Sequence, residues 1–438
     1  MMKQLLKRFL TQYTGLKKEI YILFLGRIVT AMGSFVYPMM TFFLTAKLGF
    51  SDDTAALLLA AVTLVQLPAS IIGGKLSDLF SRKKLIILFD LMTVLLYTLS
   101  AIVPIGYHTA VMIFFAGLFQ TIEAPAYDAL NADYSTTDDR ERAFSLSYLG
   151  FNVGYIIGAT AAGMLFVNHT GLAFFLNGLS VFVSTVLIFF FVDPKNAVNG
   201  MEVETEEYGP YEEPVELNRS TFSVLRERPV IITMMLVACL SSLPSILLGI
   251  ILPLQLGNTY GDGGAVLYGT LSSVNGFVVI LLTPILSVLL RRFTEIPKTA
   301  LGALLFAGGM LLFSFDRIVA VLFLGMFVFT SGEVAQVLGL NPYVSRRIPA
   351  SHRGRVSGFE NVTFSLVSSG IQFLISLALA LTGSNYILIW VVFALIEVLT
   401  AFIAALSYRA DRRTFPKLYP TEKKNVNGSA ELPPGSQV

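Results

Sequence analysis

One cysteine, Cys239, stands among 438 residues, so no disulfide framework can hold this chain together. Charge is scarce as well. Only 14% of residues are charged against 54% hydrophobic, with a mean hydropathy of +0.70. A soluble core of this size would need far more charge on its surface. The three histidines, His108, His169 and His352, fall apart from one another in loops. No metal cluster, nucleophile triad or Gly-Lys-Ser/Thr phosphate loop accompanies them. A membrane enzyme or receptor is thereby disfavoured, ATP is not the expected energy source, and neither a cofactor nor a nucleic-acid partner is expected.

What the chain has instead is long apolar runs. They fall at about residues 19–46, 54–76, 85–105, 109–134, 143–167 and 171–193, and again at 229–256, 264–290, 298–315, 318–341, 355–382 and 386–408. Crossing a bilayer as a helix takes roughly 20 apolar residues, so each run is a candidate span. The predicted fold is all-α and polytopic, with twelve transmembrane helices in two six-helix bundles, 19–193 and 229–408. Residues 1–18 place Met2, Leu5, Leu6, Phe9, Leu10 and Tyr13 at helical spacing between lysines and Arg8, the pattern of an amphipathic segment on the membrane surface. Residues 194–228 hold seven glutamates between Glu202 and Glu216 and read as a solvated linker, and 409–438 as a polar tail.

Of the 31 Lys and Arg residues, only Lys47 and Arg317 fall on one face and Arg27 inside a span. The opposite face, bearing both termini, is therefore predicted to be cytoplasmic in the cell's inner or plasma membrane. The halves also read as copies. Gly74-x-Leu76-Ser77 aligns with Pro284-x-Leu286-Ser287, and Glu123 with Ala129-Leu130-Asn131 aligns at the same offset with Glu333 and Gly339-Leu340-Asn341. Val288 stands where Asp78 stands in the first copy, which predicts asymmetric loops.

Between the second and third runs lies Gly73-Gly74-Lys75-Leu76-Ser77-Asp78-Leu79-Phe80-Ser81-Arg82-Lys83-Lys84. Two adjacent glycines there predict a close approach of helices. Gly74, Leu76, Asp78, Arg82 and Lys83 resemble the loop signature of the major facilitator superfamily, with Ser81 departing at its second glycine. The resemblance implies a gate: Asp78 near the start of the eleventh helix, and Arg82 paired with a carboxylate at the end of the fourth, which is Asp133, with Arg142 and Lys83 beside them.

A charge within a span costs at least about 2.5 to 3.5 kcal/mol on insertion scales, so each is a functional candidate. Arg27 and Asp128 sit at similar depth on spans one and four, where an ion pair is geometrically open to them. Glu123, Glu333 and Glu397 count to near mid-membrane, whereas Asp90 and Glu360 are shallow enough to snorkel or pair at a helix end. Gln66, Asn177, Asn275, Gln336 and Asn361 read as hydrogen bonds between helices, and Asn152 as a substrate contact. Phe35, Tyr37, Tyr127, Phe151, Tyr155 and Met234 offer an apolar lining, and Pro38, Pro125 and Pro253 offer bending points.

In the superfamily, spans one, four, seven and ten surround the central cavity, and acids occupy comparable places in its twelve-span drug:proton antiporters. The fifth span, Gly154-Tyr155-Ile156-Ile157-Gly158-Ala159-Thr160-Ala161-Ala162-Gly163, resembles their glycine motif but has Ala159 for its proline and Ala162 for one glycine. Their span-four arginine is also missing, with Gln120 or Glu123 near its place. The resemblance implies a monomeric transporter, not an enzyme, exporting amphipathic, cationic small molecules in exchange for protons. A nutrient symporter or facilitator for sugars or peptides, or a lipid flippase, is the alternative.

Overall fold

The computed structural model describes residues 13–34, 36–136, 139–197, 226–347 and 350–419. All regular structure among them is helical, because a bilayer leaves a lone segment no other way to satisfy its backbone. The helices are α1 Lys18–Met32, α2 Val36–Phe42, α3 Asp52–Leu79, α4 Arg82–Ile102, α5 Tyr107–Asp133, α6 Arg140–Asn168 and α7 Thr170–Phe191. They continue as α8 Pro229–Leu240, α9 Leu243–Tyr260, α10 Asp262–Leu289, α11 Glu295–Phe313, α12 Val319–Arg347, α13 Ala350–Thr382 and α14 Tyr386–Thr414. Eleven stretches are long and apolar enough to cross a membrane, with α8 and α9 counted as one. The first predicted run makes the twelfth, carried in pieces by α1, α2 and a π-helical turn at Phe43–Lys47.

Both first spans of the two sets are interrupted, but not at the prolines the sequence singles out. Pro125 lies inside a continuous α5, and Pro253 inside a continuous α9. Pro38 sits in the first turn of α2, where no N–H is needed. The breaks come at Gly33–Ser34 and Ser241–Ser242. There Ser34 Oγ donates to Thr30 O at 2.9 Å and Ser242 Oγ to Cys239 O at 2.6 Å, taking up carbonyls near each break.

Within the first half α1 packs on α6 and α7, α4 on α5 and α7, and α3 on α5; within the second, α11 packs on α12 and α14, and α10 on α12. The halves meet through α6 with α10, α3 with α13, and α2 with α9. The stripe on α6 is used on two sides. A Cβ at Gly154 or Gly158 would overlap backbone oxygens of α1 at Ile28 and Ala31, and one at Gly163 would overlap Ala265 O of α10. The described hydrogen bonds between halves all lie in the part of the membrane remote from the termini. Thr41 Oγ1 donates to Gly249 O at 3.0 Å, Ser369 Oγ to Ala60 O at 3.0 Å, Ser376 Oγ to Asp53 O at 2.8 Å and Thr160 Oγ1 to Ser273 Oγ at 2.7 Å. At that face Asn258 and Tyr386 both hold the Asp52 carboxylate.

Two boundaries shift from the sequence reading. The turn before Arg82 shrinks to Phe80–Ser81, because α3 runs on to Leu79. The polar tail starts later than residue 409: α14 continues to Thr414 and Tyr419 is buried, held by an ionic cluster described below. The predicted segment 1–18 falls mostly, and the linker 194–228 largely, outside the described residues.

Candidate transport site

Arg27 projects from α1 and is half-buried. Its guanidinium carbon lies 5.4 Å from the centre of the Tyr127 ring and 5.6 Å from that of Phe151, within cation–π range. Tyr127 donates its hydroxyl to Leu23 O at 2.7 Å, and Gly150 lets α6 close onto Phe24 of α1. Phe151 in turn stacks on Tyr155, centroids 5.7 Å apart and 17° from parallel.

The Arg27–Asp128 ion pair does not form. Asp128 is exposed, one residue and about 100° round α5 from Tyr127, and the arginine takes the aromatic side. Arg27 still shares an electrostatic neighbourhood with Glu123, Asp90 and Asp128. Glu123 is half-buried. Asp90 does not snorkel: it is buried and accepts a hydrogen bond from Thr185 Oγ1 of α7 at 2.7 Å, so α4 turns it inward. Asn152 is buried too, and its Nδ2 donates to Tyr148 O at 2.9 Å, one turn back on its own helix.

On the other half, Glu333 of α12 is half-buried, with Oε2 accepting from Asn275 Nδ2 of α10 at 2.9 Å. The same amide reaches Thr330 Oγ1 at 2.9 Å. Glu333 is also an electrostatic neighbour of Tyr148, an exposed residue of α6. Glu397 does not belong with these. It is 0% exposed, and neither carboxyl oxygen has a partner among the described residues. It sits on the face that α14 turns toward its packing partners, with Ala394, Thr400 and Ala401. Met234 is likewise core and not lining. Gln336 bonds Ser241 Oγ across helices at 2.9 Å, as its type predicts. Phe35, and the side chains of Tyr37, Glu360 and Asn361, lie outside those described.

At the terminal face Arg82 is paired with Asp133 and donates to Ala129 O at 3.3 Å. Lys83 Nζ caps Phe189 O at 2.8 Å and Val192 O at 2.7 Å, at the end of α7. Arg142 binds Asp139 Oδ1 and Thr14 O, both at 2.6 Å. Only Gly73 makes the close approach predicted for both glycines: a Cβ there would strike the backbone of Ile122, while Gly74 has nothing within 4 Å. One residue along a helix turns the side-chain position by about 100°, so adjacent glycines cannot share a contact. Asp78 is exposed on α3, and the side chains at the start of α13 lie outside those described.

A cluster the sequence reading passed over lies in the second half. Arg347, at the end of α12, contacts Asp411 of α14 at 2.6 Å and Glu295 of α11 at 3.2 Å. Tyr343 and Tyr419 donate to the same aspartate at 2.9 and 2.5 Å, and the guanidinium carbon lies 4.0 Å from the Tyr343 ring centre. Burial works against the charge of Arg347, but the hydrogen bonds and charges of Asp411 and Glu295 outweigh it and hold its pKa above the ordinary value. A cation ending one run and carboxylates ending two others of the same set was the available signal.

A profile of the Major Facilitator Superfamily matches residues 23–371. A Na(+), Li(+), K(+)/H(+) antiporter of Planococcus maritimus is 21% identical over 76% of this chain and 82% of its own length. Multidrug resistance protein 2 of Bacillus subtilis is 31% identical over 34% of this chain, and the quinolone resistance protein NorA of Staphylococcus aureus 27% over 42%. Those two matches span 38% and 47% of the relatives' lengths. Among solved structures, a POT family transporter in complex with a thioalcohol-conjugated peptide superposes with a TM-score of 0.74 over 91% of this chain and 97% of its own, at 13% identity, a likeness of fold. Twelve apolar spans in two sets, the Arg82–Asp133 pair after Gly73 and a profile match over most of the chain agree: this protein belongs to the major facilitator superfamily.

Proposed function

We propose that this transporter exports amphipathic small molecules bearing a cationic centre, in exchange for protons, by rocking its two six-helix halves around a central cleft. The observation that carries the reading is the setting of Glu333: a half-buried carboxylate, held by Asn275, whose charge is felt at Tyr148 on α6 of the other half. A carboxylate in such a place can hold a proton or a cationic centre, and competition between the two couples their movements. Glu123 offers a second such group on the opposite wall. In this reading the halves are 19–193 and 229–408, both termini are cytoplasmic in the cell membrane, and the unit is a monomer. Arg82 and Asp133, with Asp78, Lys83, Arg142, Gly74 and the close helix approach at Gly73, form the gate on the terminal side, and Asn152 supports the wall of the cleft.

The test is transport of a cationic dye by proteoliposomes under an imposed pH gradient. Flux that reverses with the direction of the gradient supports exchange, and equal fluxes under opposite gradients refute it. A second reading, exchange of alkali-metal ions for protons, is favoured by the relative matched over 82% of its length. Potassium or sodium movement driven by the same gradient, without dye movement, would select it.

A further inference from the structure

On the face remote from the termini, the second half by itself encloses a pocket of about 610 Å³. It is built from the last turns of α9, the turn between α11 and α12, and the start of α14 with the turn before it. Small-molecule sites span about 300 to 1,000 Å³, and this one falls within that range. Its base is held from two sides. Gln255 of α9 is buried, its Nε2 donates to Phe313 O of α11 at 3.1 Å, and its Oε1 accepts from Trp390 Nε1 of α14 at 2.6 Å. One wall is tied to α9 as well: Asp316 Oδ2 accepts from Thr259 Oγ1 at 2.5 Å, and Asp316 O accepts from the Tyr260 hydroxyl at 2.7 Å. At the opposite wall Ser384 has φ 60°, the one described non-glycine residue in the left-handed region, a conformation the surrounding structure must hold in place.

The lining narrows the occupant. Apart from Ile387, every side chain in it is polar or a tyrosine, so an apolar molecule would leave buried groups unpaired at about 1 to 3 kcal/mol each. Asp316 and Arg317, adjacent in the chain, cancel in formal charge, and a simple ion of either sign would meet its like charge beside its opposite. Of the two loop cations on this face, Lys47 is engaged with Val167 O at 2.9 Å and the Phe166 ring, whereas Arg317 is exposed and has no partner among the described residues. Asp316 Oδ1 is open in the same sense, and so is Asn385 Nδ2, since the oxygen of that amide caps α14 at Leu388 N. A carboxylate, a guanidinium and an amide are planar groups that pair with neighbouring hydroxyls, and the rings of Tyr260 and Tyr386 offer faces for C–H surface. We propose that this pocket binds a neutral sugar from the medium on that side, its hydroxyls held by Asp316, Arg317 and Asn385 and its C–H face packed on the tyrosines. The site belongs to one half only and stands apart from the cleft assigned under the proposed function.

Trp390 is the only tryptophan in the chain and hydrogen-bonds the base of the pocket, so its fluorescence reports what sits there. The full chain is placed in lipid nanodiscs free of sugar detergents and titrated with glucose, sucrose, maltose and trehalose, and with glycine and inorganic phosphate for comparison. A saturable change is expected with at least one sugar and with neither glycine nor phosphate. Arg317→Gln and Asp316→Asn should each weaken that sugar at least about tenfold, as hydrogen bonds to charged groups contribute. Glu333→Gln, in the cleft, should leave its affinity within about twofold, as for a distant independent site. Absence of a saturable change with every sugar overturns the proposal in wild-type protein, so misfolding of a variant cannot shelter it. Saturable binding of glycine or phosphate in place of sugar overturns it too, as does sugar affinity that survives in both pocket variants or falls equally in Glu333→Gln. No gradient and no dye enter the measurement, so this result and proton exchange fall separately.

Discussion

The two halves carry ionic clusters at the same face of the membrane, built in opposite ways. In the first, Arg82 and Asp133 are each about one-third exposed, 31% and 32% of the side chain, and only two helices are joined. In the second, Arg347 and Asp411 are 0% exposed, and Glu295, Tyr343 and Tyr419 complete a cage that ties α11, α12 and α14. Partly solvated pairs are worth about 0 to 1 kcal/mol, whereas stripping one partner from a buried pair costs about 3 to 5. Under the proposed alternating cycle the first cluster would be cheap enough to break at each turn, and the second would act as a staple that keeps its bundle together.

The contrast can be broken at several points. The largest effect is expected from Arg347→Ala, which leaves Asp411 buried without its counter-charge while Glu295 keeps only Arg346, at 2.6 Å: about 3 to 5 kcal/mol of stability lost, seen as collapse of the melting transition in detergent. A melting temperature unchanged in Arg347→Ala would dissolve the distinction between staple and latch. Next comes Glu333→Gln, expected to abolish gradient-driven transport of cations while leaving neutral ligands bound; equal loss of both would make Glu333 a packing residue. Arg82→Ala should move stability by less than about 1 kcal/mol but alter the balance between open and closed forms, measurable as changed protease access at the Phe80–Ser81 turn. The smallest change is expected at Glu397. With no partner to lose among the described residues, Glu397→Gln or Glu397→Leu should be neutral or slightly stabilising in thermal unfolding, and loss of transport in both would give this acid a role in the cycle.

Much of the architecture was legible because its signal is repeated: twelve apolar runs, a constant offset between copies, and charge gathered on one face. The Arg82–Asp133 pair was legible through resemblance. The rest turned on direction, which depth counting does not give. Arg27 and Asp128 are level, yet the arginine meets Tyr127, the residue next to that aspartate. Asp90 counts as shallow and is nevertheless inward, because Thr185 awaits it on α7. Glu397 counts as central and is sealed, because α14 faces its own bundle. Arg347 escaped notice because charges at the ends of runs read as loop charges until three ends are seen to converge.

The hydrogen bonds remote from the termini have a kinetic consequence. Thr41, Ser369, Ser376, Thr160 and the Asp52 carboxylate all hold the halves together on one side, each at about 0.5 to 1.5 kcal/mol net. In the proposed cycle, the motion that opens that side must release them nearly in concert. The activation enthalpy of turnover should therefore reside in that stroke, and trimming any one of these hydroxyls should quicken it.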